Sequence, residues 1–175
     1  MSTDKWYMLT VVGKDRSGIV SHVTKALLEG GCNLGESSML RLGDSFTIMM
    51  MVGSDGTLKN LSDLIAPTAE SMGLHTHVDH VQGGLHQHVE PDVHIVVYGA
   101  DRPGIVAHVT GALAEAGLNI VNLDTDVGGS ESASIYVMHI DGVAQEGIPA
   151  LESAIEIVVK EGVDAKLSHI ETMIG

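Results

Sequence analysis

Residues 13–34 read GKDRSGIVSHVTKALLEGGCNL, and residues 99–120 read GADRPGIVAHVTGALAEAGLNI. The two stretches start 86 residues apart and are identical at 14 of 22 positions, so the chain contains one unit twice. Two such units fill the 175 residues. We therefore expect a first domain over 1–84, a linker over 85–91 and a second domain over 92–175, because Gly and Pro residues punctuate the intervening segment.

Each copy has the same succession of hydrophobic patterns. An apolar run predicts a first strand (6–12 and 93–98), and apolar residues at every fourth position predict a helix, as at Ile19, Val23 and Leu27. A hairpin follows at 33–42 and 45–52, with its counterpart at 119–127 and 133–140, and we expect its turns at Gly43-Asp44 and Gly128-Gly129. A second helix (58–72 and 146–160) and a last strand (75–81 and 164–170) complete each copy. The order βαββαβ predicts an α+β, ferredoxin-like domain with an antiparallel sheet.

The predicted central strands of the first copy are apolar on both alternating faces. They read WYMLTVV at 6–12 and FTIMMMV at 46–52. Helices cover only one face of such a sheet, so we expect a second sheet or a second subunit to cover the other. A homo-oligomer, most simply a dimer, is the expected consequence.

Charge and composition exclude several classes of protein. The net charge is −14, from 23 acidic and 9 basic residues, and no cluster of Lys and Arg is present. We therefore expect no direct binding to nucleic acid and no association with anionic membranes. No apolar run is long enough to span a bilayer, and the N-terminus lacks the pattern of a secretory signal. With Cys32 as the single cysteine, we expect a cytoplasmic protein.

The repeated G-x-D-R-x-G-[IV]-V loop, followed by a helix, a glycine and an asparagine, resembles the ACT domain, a ligand-binding regulatory module. Two such domains in tandem, with nothing else attached, resemble the glycine cleavage system transcriptional repressor group. The resemblance covers nearly the whole chain. It implies that an amino acid binds at the loop between the first strand and the first helix. It also implies that the protein acts through a protein partner rather than by touching DNA.

The loop before each first helix is the candidate binding site. We expect the free amide groups at the helix start to bind a carboxylate, and glycine to allow close approach. We expect the asparagine that begins the next strand to lie at the same end of the sheet and to hold the ligand with its amide. The predicted ligand-binding residues are Asp15, Arg16, Gly18, Ile19, Val20 and Asn33, with Asp101, Arg102, Gly104, Ile105, Val106 and Asn119 in the second copy.

A structural interpretation of the same loops stays open beside this one. Each loop could be a tight turn in which Asp15 or Ser17 caps the helix and Pro103 occupies the first helical turn. Asp15 could pair with Arg16 or with a neighbouring domain, and the asparagines could simply tie the loop.

Enzymatic, nucleotide-binding and metal-binding functions lack their signatures. No P-loop lysine or Rossmann glycine pattern follows a strand, and no catalytic set stands out, so we expect a protein that is not an enzyme and has no cofactor. His75 with His77, or His86 with His88, could hold a metal, but solvated histidines explain them as well and we expect no metal site. His22 and His108 occupy equivalent positions at the border of the apolar helix face. The expected function is that of an amino-acid-binding regulatory protein, and the alternative is an ACT-like interaction module that binds no ligand.

Overall fold

The computed structural model describes residues 5–81, 89–100, 103–130, 133–160 and 162–170. The chain divides into two compact units, Met1–His86 and Gln87–Gly175. Most of the predicted linker over 85–91 lies outside the described residues. The domain limits at 84 and 92 therefore stay predictions.

Both units have six elements in the predicted order, and the sequence patterns explain most of their limits. The first unit contains β1 Lys5–Lys14, α1 Ile19–Glu29, β2 Asn33–Leu42, β3 Ser45–Ser54, α2 Leu58–Met72 and β4 His75–His80. The second contains β5 Val93–Ala100, α3 Ile105–Glu115, β6 Leu118–Ser130, β7 Ala133–Ala144, α4 Ile148–Lys160 and β8 Asp164–His169. The helix α2 has the predicted limits because Thr57 caps its start and Gly73, in the left-handed conformation, ends it.

The two sheets have the same topology. The strand orders are β2-β3-β1-β4 and β6-β7-β5-β8, and every neighbouring pair is antiparallel. The first and third strands of each unit are therefore central, and the second and fourth are edges. This confirms the predicted α+β class and the tandem ferredoxin-like βαββαβ arrangement.

The predicted turn at Gly128-Gly129 is wrong. Both glycines belong to the edge strand β6 and pair with Ile135 and Ser134, and the ladder continues to Ser130 opposite Ala133. A Cβ added at Gly128 would meet no atom within 4 Å, which fits an edge strand without a close neighbour. Glycine is tolerated there because little packing is lost.

One hydrophobic core fills each unit between its helices and the inner face of its sheet. Leu9 and Val11 of β1 are fully buried beside Ile48 and Val52 of β3. The helix residues predicted from the four-residue spacing are all buried, namely Ile19, Val23 and Leu27 in α1 and Ile105, Val109 and Leu113 in α3. The hydrophobic pattern thus predicted correctly which face of each of these helices packs on its sheet.

The outer sheet faces, which point away from the helices, differ between the units. In the first unit Trp6 lies close to Gly35 and Gly53, so that an added Cβ would meet the indole at 3.0 Å and 3.2 Å, and Met49 is 46% exposed. In the second unit this face carries a hydrogen bond of 2.6 Å between His94 Nδ1 and Asp141 Oδ1. The expectation of an apolar outer face was made for the first unit and holds there, whereas the outer face of the second unit carries a polar pair.

Candidate functional site

The helix α1 begins at a glycine whose conformation is left-handed. Gly18 has φ 89° and ψ −4°, and it is the N-cap residue of α1. L-residues rarely adopt this conformation, which accounts for glycine at this position. No side chain caps the helix, so the interpretation of Asp15 or Ser17 as a cap is wrong. The main-chain turn itself brings the chain from β1 into α1.

The amide groups in the first turn of α1 therefore have no side-chain partner in the described part of the chain. The first helical residues are Ile19, Val20 and Ser21, and the first intrahelical bond is donated by the amide of His22 to the Gly18 carbonyl at 2.9 Å. Ile19 points into the core, whereas Val20 is 39% exposed. The aligned peptide dipoles give this end a partial positive charge, which favours an anion.

An ion pair joins the loop to the edge strand β2. Asp15 Oδ2 lies 3.0 Å from Arg41 Nε, and the side chain of Asp15 is 30% exposed. The Asp15 amide also donates to the Asp44 carbonyl at 2.8 Å. The ion-pair partner of Asp15 is thus Arg41 of its own unit. It is not Arg16, which the sequence analysis considered as a partner.

A groove of about 510 Å³ opens at this junction. Its lining combines five predicted loop residues with Ser21 and three residues of the β2–β3 hairpin: Asp15, Arg16, Gly18, Ile19, Val20, Ser21, Met39, Arg41 and Phe46. Five of the six residues predicted for the first copy are therefore brought together. The groove offers main-chain donors, two guanidinium groups and one carboxylate beside an apolar wall, a combination suited to a small zwitterion.

Asn33 lies at the other end of the sheet, so its predicted place beside Gly18 is wrong. Asn33 is opposite Gly53, and Gly53 is opposite Trp6 near the start of β1, whereas Gly18 follows the end of β1. The 11 residues of α1 separate the two positions by about 16 Å along its axis. Asn33 lines a different groove, of about 450 Å³, with Leu28 and Leu34 among its neighbours.

The second junction repeats the backbone geometry of the first. Gly104 has φ 89° and ψ −5° and begins α3 without a side-chain cap. Pro103 precedes this N-cap residue, so its predicted place in the first helical turn is wrong. Ile105 is buried and Val106 is half-buried, while the predicted residues Asp101 and Arg102 lie outside the described residues. Asn119 is opposite Val143, near the start of β5, and so is again far from its own loop.

The sequence reasoning missed four residues of the first groove, namely Ser21, which directly follows the predicted Val20, and three residues of the β2–β3 hairpin. Met39, Arg41 and Phe46 lie more than 20 positions after Gly18, and nothing in the local pattern relates them to the loop. The available signal was the alternation of side chains along β2 and β3. Met39 is paired with Ile48 and Arg41 with Phe46, and residues paired across two strands lie on the same face of the sheet. Ile48 and Phe46 are buried on the face that the helices cover. Only the pairing of the strands shows that this side reaches the start of α1.

The other candidate sites lack a ligand set. In the described ranges no three His, Cys, Asp or Glu side chains form a group that could hold a metal ion. His77 Nε2 lies 3.0 Å from Asp79 Oδ2, and the predicted pair of His86 and His88 lies outside the described residues. Over the ranges that the structure covers, the helices are too short or too polar for a bilayer crossing.

Comparison with known proteins agrees with this architecture. Two family models, both described as ACT domain, match residues 7–79 and 93–159. The chain belongs to the ACT domain family. The first match runs from β1 to β4 and the second from β5 into α4, so the tandem arrangement read from the repeat is confirmed.

Some of the similar proteins cover nearly the whole chain. The glycine cleavage system transcriptional repressor of Escherichia coli is 24% identical over 161 residues, which are 91% of this chain and 85% of that protein. A solved structure of an unknown protein from Galdieria sulphuraria has a TM-score of 0.76 at 24% identity and covers 95% of this chain and 99% of its own. Another, described as a candidate glycine cleavage system transcriptional repressor, has a TM-score of 0.71 at 19% identity, covering 98% and 100%. At these identities the two structures establish the shared ACT fold.

Proposed function

We propose that the protein is a regulatory protein that binds a small amino acid at the junction between β1 and α1, and at the equivalent junction between β5 and α3. One observation carries the proposal. The start of α1 has no side-chain cap, and its first residues line a groove that Arg16, Arg41 and Asp15 also line. The carboxylate of Asp15 and the guanidinium of Arg41, 3.0 Å apart, thus both line a space large enough for a small ligand.

The groups around this groove match those of an amino acid. The amide groups of Val20 and Ser21, helped by a guanidinium group, would bind the carboxylate. Asp15 would accept hydrogen bonds from the ammonium group, and Met39 with Phe46 would contact an apolar side chain. The second junction would work in the same way through Gly104, Ile105 and Val106, with Asp101 and Arg102 as predicted partners.

The proposed output is a protein–protein contact rather than catalysis or DNA binding. The net charge of −14 opposes contact with a phosphate backbone, and a relative along most of the chain is named as a transcriptional repressor. We therefore propose that the protein is a non-enzymatic co-regulator of amino-acid metabolism. It would act as a homo-oligomer or together with a protein partner.

A thermal-shift screen of the twenty amino acids tests the proposal. A ligand that binds only the folded protein raises its stability, by about 2.7 kcal/mol when its concentration is 100 times Kd. We expect at least one amino acid to raise the unfolding temperature, and Arg41→Ala to reduce that increase. Lys25→Ala is the matched control, because Lys25 is an exposed cation on α1 that does not line the groove. The proposal fails if none of the twenty compounds stabilises the parent protein.

A second candidate function is that of an interaction module without a ligand. All ten residues of the edge strand β2 are exposed, among them Leu40 at 57% and Leu42 at 74%. An exposed apolar edge strand is a surface on which another chain can pair. Binding of a partner that no amino acid alters would favour this function.

A further inference from the structure

The carbonyl group of Gly18 accepts two hydrogen bonds from one residue, His22. The main-chain amide of His22 donates at 2.9 Å and its Nδ1 at 2.7 Å. A carbonyl oxygen only accepts, so Nδ1 carries a hydrogen atom in this geometry. The ring lies so close to Gly18 that an added Cβ would stand 3.2 Å from Nδ1. Glycine at position 18 therefore leaves room for the histidine ring as well as permitting the positive φ.

The start of α1 differs in this respect from the start of α2. In α2 the side chain of Thr57 accepts from the Asn60 amide at 3.3 Å, and the Asn60 side chain accepts from the Thr57 amide at 2.9 Å. In this capping box both side chains act as acceptors, and the N-cap residue Thr57 itself satisfies a helix amide. At α1 the side chain of His22 is instead a donor, and its partner is the N-cap carbonyl rather than an amide. Both lone pairs of the Gly18 oxygen then have donors, and the uncapped amides of Ile19, Val20 and Ser21 belong to residues that line the groove.

We propose that His22 is a positioning residue of the first candidate site, and that it makes the start of α1 selective for a carboxylate. This inference rests on the proposed amino-acid binding at that junction. Because the Gly18 carbonyl already accepts two hydrogen bonds from His22, it is not an acceptor for the ligand's ammonium group. The ammonium group would then bind Asp15, and the carboxylate would bind the amides at the helix start. In α3 the His108 amide donates to the Gly104 carbonyl at 3.0 Å, but the ring approaches the glycine by its Cδ2 edge. The inference therefore concerns the first junction.

Three variants of the full chain test the role of His22. His22→Ala removes the Nδ1 donor. His22→Asn retains a donor, because the Asn Nδ2 atom is as many bonds from the main chain as the His Nδ1 atom. His75→Ala is the matched control, since His75 is an exposed histidine on the edge strand β4. Thermal unfolding of each variant checks that the fold is retained.

Amide hydrogen exchange of the ligand-free protein is the first measurement. In His22→Ala we expect the main-chain amide of residue 22, which donates to the Gly18 carbonyl, to exchange on the order of tenfold faster once the intrinsic rates of the two side chains are corrected for; this ratio corresponds to about 1.4 kcal/mol. In His22→Asn and His75→Ala the rate stays close to that of the parent. An unchanged exchange rate in His22→Ala would overturn the inference. A rate in His22→Asn that stays as fast as in His22→Ala would also overturn it, because the imidazole ring rather than its hydrogen-bond donor would then stabilise the turn.

Calorimetric titration with glycine and L-leucine is the second measurement. For a probe that binds the parent, we expect His22→Ala to weaken binding three- to tenfold and His22→Asn to restore it. Equal affinity in the parent and in His22→Ala would overturn the inference. If the exchange rates change as expected but neither glycine nor L-leucine binds the parent or the variants, the role of His22 in the turn is supported and the proposed amino-acid binding is contradicted for these two probes.

Discussion

Asp15 Oδ2 and Arg41 Nε lie 3.0 Å apart, so that the loop before α1 is joined to the edge strand β2 of its own unit. Arg41 Nε also donates to the Gly43 carbonyl at 3.3 Å, which ties the same guanidinium to the hairpin turn. The two residues are 26 positions apart in the sequence. Their pairing places a cation and an anion at the mouth of the groove in a fixed relation to the helix start.

We expect Arg41→Ala to affect ligand binding more than stability. The Arg41 side chain is 63% exposed, and an exposed ion pair contributes about 0.2–1 kcal/mol to the free energy of unfolding. A lost charge-assisted hydrogen bond to a carboxylate weakens binding about tenfold or more. Urea unfolding and calorimetric titration measure the two effects separately. A large loss of stability with unchanged affinity would assign the pair a purely structural role.

Gly18→Ala and Gly111→Ala should change stability in opposite directions. Gly18 has φ 89°, and an L-residue in the left-handed region costs about 1–2 kcal/mol. Gly111 lies within α3, and a Cβ added there meets no atom within 4 Å. Alanine in an exposed helix position is favoured over glycine by about 0.5–1 kcal/mol, so Gly111→Ala should stabilise. Denaturant unfolding of both variants checks the signs, and equal effects would contradict the special geometry of Gly18.

Asn33→Ala should leave amino-acid binding at the first junction unchanged, within about a factor of two. Asn33 lies opposite Gly53, at the end of the sheet remote from Gly18, and cannot reach a ligand bound at the β1–α1 junction of its own unit. Calorimetric titration of the parent and of the variant gives the comparison. A weakening of tenfold or more, the loss of about 1.4 kcal/mol, would mean that Asn33 reaches a ligand held by another domain or subunit.

The purified protein should not bind DNA at physiological ionic strength. Its 23 acidic residues outnumber its 9 basic residues, and binding to phosphates requires clustered cations. Fluorescence anisotropy with a labelled duplex, measured at several salt concentrations, checks the prediction. An affinity that falls steeply with added salt would contradict it.

Leu40→Asp should weaken self-association. Leu40 is 57% exposed on the edge strand β2, beside other exposed apolar residues, and a charge on an edge strand opposes pairing with a second chain. We expect the parent to sediment as a dimer and the variant to shift toward the monomer. Ile157→Asp is the control, because Ile157 is equally exposed, on α4. A parent that sediments as a monomer would contradict the prediction of a homo-oligomer.

The fold was predictable because its signals are local and occur twice. The spacing of Ile19, Val23 and Leu27 identified the buried face of α1, and the same spacing in α3 supported it independently. Local signals failed where the same residues are compatible with two kinds of secondary structure. Gly128 and Gly129 are typical of a turn, but they continue an edge strand, and only the strand pairing distinguishes the two.

The sequence by itself determined the repeat, the βαββαβ order and the loops Gly13 to Gly18 and Gly99 to Gly104 as candidate sites, because propensity, periodicity and glycine positions act within a few residues. The tertiary structure decided which residues meet there. It brought Arg41 to Asp15 and moved Asn33 to the opposite end of the sheet, because β2 runs parallel to β1 and starts only after α1 has returned along the sheet. Contacts between distant residues depend on strand direction and pairing, which a single segment of sequence does not contain.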